Sequence, residues 1–433
     1  MKTAIVWFKT DLRLEDNETL VKAIAQNDQL IPVYCFDPRH WETSTFGFKK
    51  TGSFRTKFLF EALIDLNKQL ELIGSHLVVL NSLPEEELPQ LVAKYAATKV
   101  YAKREVGFEE KQVESAVETA LWKHKCELER FSTSTLYHAE DLPFAIKSIP
   151  EVFTEFRKKV EKESIIRPVF KRPARINSPA MKPFQLPSFE SLGLEPPQAD
   201  ERAVLAFKGG ETAALQRLNH YFFETKALSR YKETRNGLIG ADYSSKFSAW
   251  LALGCISPRY IVDQIRNYEE QHGANESTYW LIFELIWRDY FRFMMKKHQA
   301  KFFLKGGIQG KELSTQTDLA KAQQWINGET GLDFIDANMN ELKRTGFMSN
   351  RGRQNVASYF CNELNLDWRI GASYFEEKLI DYDVCSNWGN WAYIAGVGND
   401  PRPNRYFNTN KQAGDYDRDH RFRKLWLPER YTN

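Results

Sequence analysis

The sequence predicts an N-terminal α/β domain with a parallel sheet, then a connector, then an all-helical domain. Three observations predict this order. Short apolar runs alternate with helical patterns in the first third of the chain, and prolines interrupt both patterns between about 140 and 200. After residue 200 the apolar residues recur at helical spacing with few β-branched runs. A chain of 433 residues is long enough for two domains. We therefore expect domains at 1–135 and 201–433, joined by a connector at 136–200.

Five strands are predicted where apolar and β-branched residues form short runs. The runs are TAIVWF (3–8), LIPVYCF (30–36), HLVVLN (76–81), KVYAKR (99–104) and ELERFST (127–133). Helical patterns lie between them, at residues 17–28, 53–73, 84–97 and 109–124. Strands that alternate with helices of this length indicate right-handed crossovers, and therefore a parallel sheet covered on both faces. Ligands of such sheets bind beyond the carboxyl ends of the strands.

Missing motifs exclude several classes of protein. No GxGxxG follows the first strand and no GxxxxGK[ST] occurs, which argues against a standard dinucleotide or P-loop domain. The five cysteines lie far apart without metal-ligand spacing, so we expect no metal site and a reducing compartment. The N-terminal segment lacks an apolar h-region, and no apolar run approaches the ~20 residues of a membrane span. These features favour a cytoplasmic protein without a targeting segment.

The net charge of +3 neither requires nor excludes a nucleic-acid partner, because a local basic patch matters more than the total. The aromatic share of 14 % is high, and eight of the eleven tryptophans follow residue 200. A functional site is therefore expected in the helical part.

The stretch YWLIFELIWRDYFRF (279–293) reads as a buried helix. Glu284, Trp287, Arg288 and Phe291 fall on one arc roughly 100° wide, and apolar residues cover most of the remainder. We predict that Glu284 and Arg288 line a cavity. The alternative is an ordinary surface pair at i, i+4, worth a few tenths of a kcal/mol.

Two further stretches carry polar side chains at predicted helix starts. In TGFMSNRGRQNVASYF (345–360), Ser349 or Asn350 could cap a helix, and two arginines at its positive end suggest an anion nearby. In ADYSSKFSAWLALG (241–254), three serines and a lysine precede an apolar run, which is typical of a phosphate site. A solvated basic helix start and a simple N-cap are the respective alternatives.

The stretch DYDVCSNWGNWAY (381–393) combines two acids, two asparagines and two tryptophans. Its Asp-x-Asp pair lacks a third ligand at suitable spacing, so a metal is not expected. Aromatic residues three apart usually pack in a core, and core packing is the alternative to a ligand site here.

Taken together, these stretches resemble the photolyase/cryptochrome family, and within it the DASH-type cryptochromes. The resemblance also includes VWFKTDLRLEDN at the start and FGFKKTGSFRTKFL at 46–59, and it covers most of the chain in order. It implies a Rossmann-like N-terminal α/β domain and an all-helical domain that binds FAD in a folded, U-shaped conformation.

The resemblance implies a set of cofactor-binding residues. Those at the diphosphate side would be Tyr231, Ser244, Ser245, Lys246, Phe247 and Ser248. Those lining the flavin would be Arg288, Phe347, Asn350 and Arg353. Asp381 and Asp383 would meet the ribose and adenine or the ring edge, and Asn387 would face flavin N5. Carboxylates and amides would then satisfy a buried polar cofactor, whose polar groups are costly to leave unpaired.

The resemblance also implies a substrate site. Glu284 would hydrogen-bond the bases of a DNA lesion and Trp287 would stack on them. Gln354 and Tyr393 stand where ordinary cyclobutane photolyases carry Met and Trp, as is typical of DASH-type members. Asn350 and Asn387 complete the implied catalytic set.

A tryptophan relay that reduces photoexcited flavin is implied as well. Trp391 matches its inner member and Trp368 its middle one. The outer member should follow the Gly-Lys pair near 311, but the sequence there, GKELSTQTD, has no tryptophan. Trp325 or a nearby tyrosine could substitute, or photoreduction could be slow.

For a second chromophore, the resemblance implies 5,10-methenyltetrahydrofolate in the cleft between the domains. REVGFEE (104–110) resembles the folate segment of DASH-type members. Glu109 or Glu110 would bind the pterin, with Cys35 and Phe36 nearby.

The function expected from the resemblance is that of a deoxyribodipyrimidine photo-lyase, a carbon–carbon lyase. It would act as a monomer on cyclobutane pyrimidine dimers, preferring single-stranded or looped DNA, with RNA as a further partner. The main alternative is a blue-light receptor or regulator that binds nucleic acid without repair, which a long C-terminal signalling tail would favour. An ordinary flavin oxidoreductase is disfavoured by the missing GxGxxG.

Overall fold

In the computed structural model, which describes residues 2–400, 402 and 405–432, five strands form one parallel sheet in the order β3–β2–β1–β4–β5. The strands are β1 (Thr3–Phe8), β2 (Gln29–Cys35), β3 (Val78–Leu80), β4 (Lys99–Lys103) and β5 (Glu127–Phe131). All five predicted strands are confirmed. Strand β3 is shorter than expected, because the Leu77 amide donates to the Asn67 side chain at 2.9 Å and not to the sheet.

Four helices cover the sheet, as predicted. They are α1 (Glu18–Gln26), α2 (Ser53–Glu71), α3 (Pro84–Tyr95) and α4 (Phe108–Trp122). Asn17 begins α1 by accepting a hydrogen bond from the Leu20 amide, which replaces a bond that the first turn lacks. All six residues of β1 are buried, as expected for a central strand with helices on both faces.

The proline-rich connector is mostly irregular but contains one helix, α5 (Phe153–Glu163). It forms where the sequence between Pro150 and Pro168 is free of proline. Its apolar residues Phe153, Phe156 and Val160 are buried at helical spacing, so the helix is held by packing against the rest of the protein.

The remainder is helical, as predicted. Its helices are α6 (Glu211–Asn219), α7 (Tyr231–Thr234), α8 (Ser248–Ala252), α9 (Pro258–His272), α10 (Glu276–His298), α11 (Leu319–Asn327), α12 (Asp333–Thr345), α13 (Asn350–Ser358), α14 (Trp368–Lys378), α15 (Val384–Ile394), α16 (Thr409–Tyr416) and α17 (Arg421–Trp426). The longest, α10, begins with a capping box between Asn275 and Thr278. Within the described part of the chain, no helix has the length and apolarity needed to cross a membrane.

Two buried carboxylates join α/β and helical parts. Asp16 of the first part pairs with Arg259 of α9 at 2.8 Å. Asp289 of α10 accepts hydrogen bonds from the amides of Leu136 and Tyr137, both at 2.9 Å. Burial raises the pKa of Asp289 to about 7, against the opposing effect of those two amides. The longest helix is therefore anchored directly to the chain that leaves the sheet.

Candidate functional site

A cavity of about 470 Å³ opens into the helical part of the protein. Its volume is in the range of ligand sites in proteins. The wall brings together residues from six stretches that are far apart in sequence. It includes every residue predicted for cofactor binding and catalysis, and the inner tryptophan: Tyr231, Ser244, Ser245, Lys246, Phe247, Ser248, Glu284, Trp287, Arg288, Phe347, Asn350, Arg353, Gln354, Asp381, Asp383, Asn387, Trp391 and Tyr393.

The serine segment forms an ordered loop. The sequence suggested a helix start at the serines, but α8 begins only at Ser248 and has no side-chain cap. Arg217 of α6 holds the loop by donating to the carbonyls of Ser244 and Ser245, both at 3.0 Å. Because N–H and C=O point in opposite directions in a trans peptide, the following amides face away from Arg217. The simple N-cap alternative is therefore wrong.

Four buried polar atoms of cavity-lining residues have no hydrogen-bond partner among the described residues. They are Oη of Tyr243, Nζ of Lys246, Oε1 of Gln354 and Nε of Arg405. Lys246 is held in the left-handed region at φ +61, with its ammonium over the ring of Tyr243. Burial lowers the pKa of Lys246, although the Glu341 carboxylate opposes this. An anionic ligand group beside Lys246 would compensate this buried cation, so the wall fits the diphosphate of FAD.

Helix α13 begins as predicted. Ser349 caps it by accepting a hydrogen bond from the Gly352 amide at 2.9 Å. Arg353 then reaches Asp381 through two hydrogen bonds of 2.8 and 3.0 Å from its Nη2. One of the two arginines at this helix start therefore already has a protein anion as its partner.

Asp383 caps helix α15 and neutralises two arginines of α10. Its carboxylate accepts from the Ser386 amide at 2.9 Å and pairs with Arg292. Burial opposes ionisation, but Arg292 and Arg288 outweigh it and lower the pKa of Asp383 to about 2. Asp381 pairs with Arg353 in the same way, so both acids of this Asp-x-Asp pair bind arginines. Within the described part of the chain, no three metal-ligating side chains cluster.

Replacing Asp383 by Asn should lower the free energy of unfolding at neutral pH by about 3 to 5 kcal/mol, because a buried charge pair loses one partner. Folding lowers the pKa of Asp383, so its ionised carboxylate stabilises the protein. This stabilisation is complete at pH values above the pKa of the unfolded state, and it is lost as the pH falls towards 2. Between pH 5 and 3 the wild type should therefore lose about 1 kcal/mol more than Asp383→Asn. Urea unfolding at both pH values measures this. Asp415→Asn, at an exposed position of α16, should behave as wild type; an equal loss in both variants would contradict the argument.

Glu284 lines the cavity but does not pair with Arg288. Its carboxylate lies 2.7 Å from Arg235, a residue that the sequence analysis did not single out. The side chain is 27 % exposed, and it faces the cavity. Burial raises the pKa of Glu284, against the opposing effect of Arg235. Arg288 instead donates to the carbonyls of Ser134 and Leu251. The surface-pair alternative is therefore wrong.

Aromatic side chains line the same cavity as Glu284. Trp287 contacts Tyr393 edge to face, with ring centroids 6.1 Å apart at 87°. The guanidinium of Arg405 lies over the ring of Tyr393, 4.6 Å from its centroid. Gln354 lines the same space. The predicted substrate residues therefore share one wall, with an arginine at its edge that sequence reasoning missed.

Trp391 lies at the inner wall and is buried against other rings. Its indole contacts Trp325 at 6.1 Å and Phe375 at 5.2 Å, both edge to face. Gly371 of α14 also approaches so closely that a Cβ there would lie 2.2 Å from Cη2 of Trp391. Trp368 begins the same helix, lies outside the cavity lining, and contacts Trp388 at 5.7 Å.

Asn387 has one polar atom free to face the cavity. Its amide nitrogen donates to the Ala372 carbonyl at 3.0 Å, which leaves the side-chain oxygen as an acceptor. Asn350 begins helix α13 in the same wall.

The four predicted antenna residues lie in three different places. Glu109 and Glu110 begin α4 at the boundary with the helical part, where Glu109 pairs with Lys50 at 2.6 Å. Burial and the nearby Glu105 raise the pKa of Glu110 to about 7. Cys35 packs in the core on one side of the sheet, and Phe36 in the core on the other side, against Trp41.

Sequence reasoning missed the cations that hold the site together. Arg292 follows Arg288 by four residues on α10, so helical spacing alone could have found it. Arg217, Arg235 and Arg405 carried no such signal, because each meets its partner across a tertiary contact.

The chain is similar in sequence to known proteins along nearly its whole length. Residues 4–176 match the family described as DNA photolyase, and residues 280–432 match the FAD binding domain of DNA photolyase. The chain is 51 % identical to a cryptochrome DASH of Gloeobacter violaceus, over 99 % of this chain and 86 % of that protein. It is 48 % identical to a cryptochrome DASH of Danio rerio, over 99 % of this chain and 83 % of that protein.

Solved structures are similar along the whole chain. A cryptochrome of Synechocystis superposes with a TM-score of 0.96 at 48 % identity, covering 99 % of this chain and 89 % of the other. A class III photolyase of Agrobacterium tumefaciens gives 0.86 at 27 % identity, covering 99 % and 87 %. The predicted two-part fold is confirmed.

Proposed function

The chain belongs to the cryptochrome DASH branch of the photolyase/cryptochrome family and carries its FAD-binding domain, and on this premise we propose that it repairs cyclobutane pyrimidine dimers in light, preferring single-stranded or looped DNA. The observation that carries the proposal is the common cavity wall. Glu284 and Trp287 face the space that Lys246, Asn387 and Trp391 also line. A base-binding carboxylate and a stacking indole thus lie beside the groups that fit FAD.

Different residues of the cavity wall would bind the cofactor and the substrate. Lys246 and the serine loop would hold the diphosphate, since Nζ of Lys246 is buried without a partner. Arg353 and Asp381, already paired to each other, would border the flavin ring, and Asn387 offers it an acceptor. When bound, reduced FAD supplies the excited-state electron that splits the dimer and receives it back. Glu284 and Trp287 would bind and orient the pyrimidines.

The preference for single strands follows from the remaining wall residues. A dimer in duplex DNA must leave the base stack, at a cost of a few kcal/mol. Gln354 and Tyr393 offer less apolar surface to it than Met and Trp, and a few tens of Å² lost amount to about 1 kcal/mol. A single strand avoids the unstacking cost and binds through phosphate contacts and stacking.

The proposal is tested by illuminating the reduced protein with matched oligonucleotides that carry one dimer, single-stranded or in duplex. We expect dimer loss in single strands and much slower loss in duplex at the same salt concentration. If the protein binds both forms and repairs neither, the proposal is wrong. That outcome would favour the second candidate, a light receptor or regulator that binds DNA or RNA, which the cryptochrome names of its relatives suggest.

The substrate preference makes a specific prediction. The double variant Gln354→Met with Tyr393→Trp should bind dimer-containing duplex about fivefold more tightly relative to single strand, because it restores apolar contact area. Equilibrium titration in the dark at one fixed salt concentration measures the ratio, and the two single variants give each contribution. An unchanged ratio would place the cause of any preference elsewhere.

A folate antenna at the domain boundary is part of the proposal. The half-buried Glu110, whose pKa is raised to about 7, and Glu109 offer carboxyl groups to a pterin, while Cys35 and Phe36 would contribute only through the sheet edge. Mass spectrometry of the chromophores released from purified protein tests this.

The expectation of a cytoplasmic monomer also stays a prediction, to be checked by light scattering and cell fractionation.

A further inference from the structure

One side chain of the connector helix, Phe153, contacts the proposed substrate residue Trp287. Phe153, the first residue of α5, is buried against three aromatic residues of α10 that share a helix face: Phe283, Trp287 and Tyr290. It lies flat on the indole of Trp287, with ring centroids 3.5 Å apart and an angle of 12° between the planes. Phe283 and Tyr290 meet its edge at 87° and 72°.

This stack is not the arrangement that two rings choose by themselves. Isolated aromatic pairs favour offset or edge-to-face contacts with centroids roughly 4.5 to 7 Å apart, because eclipsed faces repel. The surrounding packing therefore imposes the stack. Phe156, one turn further along α5, is fully buried and contacts Tyr290 and Phe293, but it does not contact Trp287.

The stack has a direct consequence for Trp287. Phe153 covers one face of the indole, Phe291 lies 5.7 Å from it with the ring planes 29° apart, and Tyr393 meets it edge-on. Trp287 lines the cavity and Phe153 does not, so a base would approach the indole from the cavity side. We infer that Phe153 is a positioning residue, which fixes the Trp287 ring in the orientation that stacks on a pyrimidine of the substrate.

This inference rests on the proposed function, and binding measurements separate the two. In the dark, at one salt concentration, Phe153→Leu should bind a dimer-containing single strand about fivefold more weakly, since a positioned aromatic pair is worth roughly 0.5 to 1.5 kcal/mol. Phe153→Tyr keeps the ring and should bind as the wild type does. The FAD content, measured by absorbance, should be unchanged in both variants.

Phe156→Leu is the matched control, because it disturbs the same helix without touching the Trp287 face. It should leave binding within about twofold of wild type. In a Trp287→Leu background, Phe153→Leu should cause no additional loss, as expected for a residue that acts only through the indole. If Phe153→Leu does not fold, Phe153→Met takes its place in the cycle.

Three results would overturn the inference: unchanged binding by Phe153→Leu, an equal loss in Phe156→Leu, or the same additional loss in the Trp287→Leu background. In each of them the proposed function survives if Trp287→Leu itself weakens binding. If Trp287→Leu binds the lesion as tightly as the wild type, the proposed substrate wall is wrong, and the role of Phe153 is wrong with it.

Discussion

Glu284→Ala should reduce repair of dimer-containing single strands about 10- to 100-fold while leaving bound FAD in place. The carboxyl group lies in the cavity wall and would bond the pyrimidine edges, and hydrogen bonds to charged groups are worth roughly 1.5 to 3 kcal/mol. Repair per bound flavin under constant illumination, with FAD content from absorbance, measures the effect. Glu276→Ala is the matched control, since Glu276 begins the same helix with its carboxylate exposed.

The partner of Glu284 complicates this variant. Removing the carboxylate leaves Arg235 without its 2.7 Å ion pair, and a released cation strengthens non-specific binding to phosphate. The double variant Glu284→Ala with Arg235→Ala removes that contribution and should show the same loss of repair. A variant that loses flavin but keeps normal repair per flavin would show that Glu284 holds the cofactor site together and does not bind substrate.

Trp391→Phe should slow the photoreduction of oxidised bound flavin about tenfold or more, since phenylalanine is much harder to oxidise and each ~1.4 kcal/mol of added barrier costs tenfold in rate. Repair by chemically pre-reduced protein should largely persist, because that reaction does not need the relay. Absorbance under blue light with an external reductant measures the first rate. Trp122→Phe, at an exposed site on α4, is the control.

The structure offers two continuations beyond Trp391. Trp325 touches its ring edge-on at 6.1 Å, and Trp368 begins the helix whose Gly371 packs against the same indole. The single variants Trp325→Phe and Trp368→Phe show which one donates next. Unchanged photoreduction in Trp391→Phe would exclude the relay altogether.

Much of this protein could be predicted from patterns that are local in sequence. Apolar runs of strand length gave five strands at nearly the observed limits, because burial on both faces of a parallel sheet demands continuous apolar residues. Ser349 was predictable as a cap, since one side chain satisfies amides two or three residues away. The family motifs named the residues that line the cavity, as each motif lies within one short stretch.

The partners of those residues were decided only by tertiary structure. Glu284 was expected either to line a cavity or to pair with Arg288 on its own helix. It lines the cavity, and its carboxylate pairs with Arg235 from another segment. The connector was expected to be irregular, yet its one helix places Phe153 on Trp287, 134 residues away in sequence. Periodicity reports which face of an element is buried, whereas a contact across such a distance depends on how complete elements pack against one another. The sequence by itself therefore determined the motif residues that line the cavity, because each motif lies within one short stretch. The packing of the helices decided how each one is held, and it added Arg235 and Arg405 to the lining.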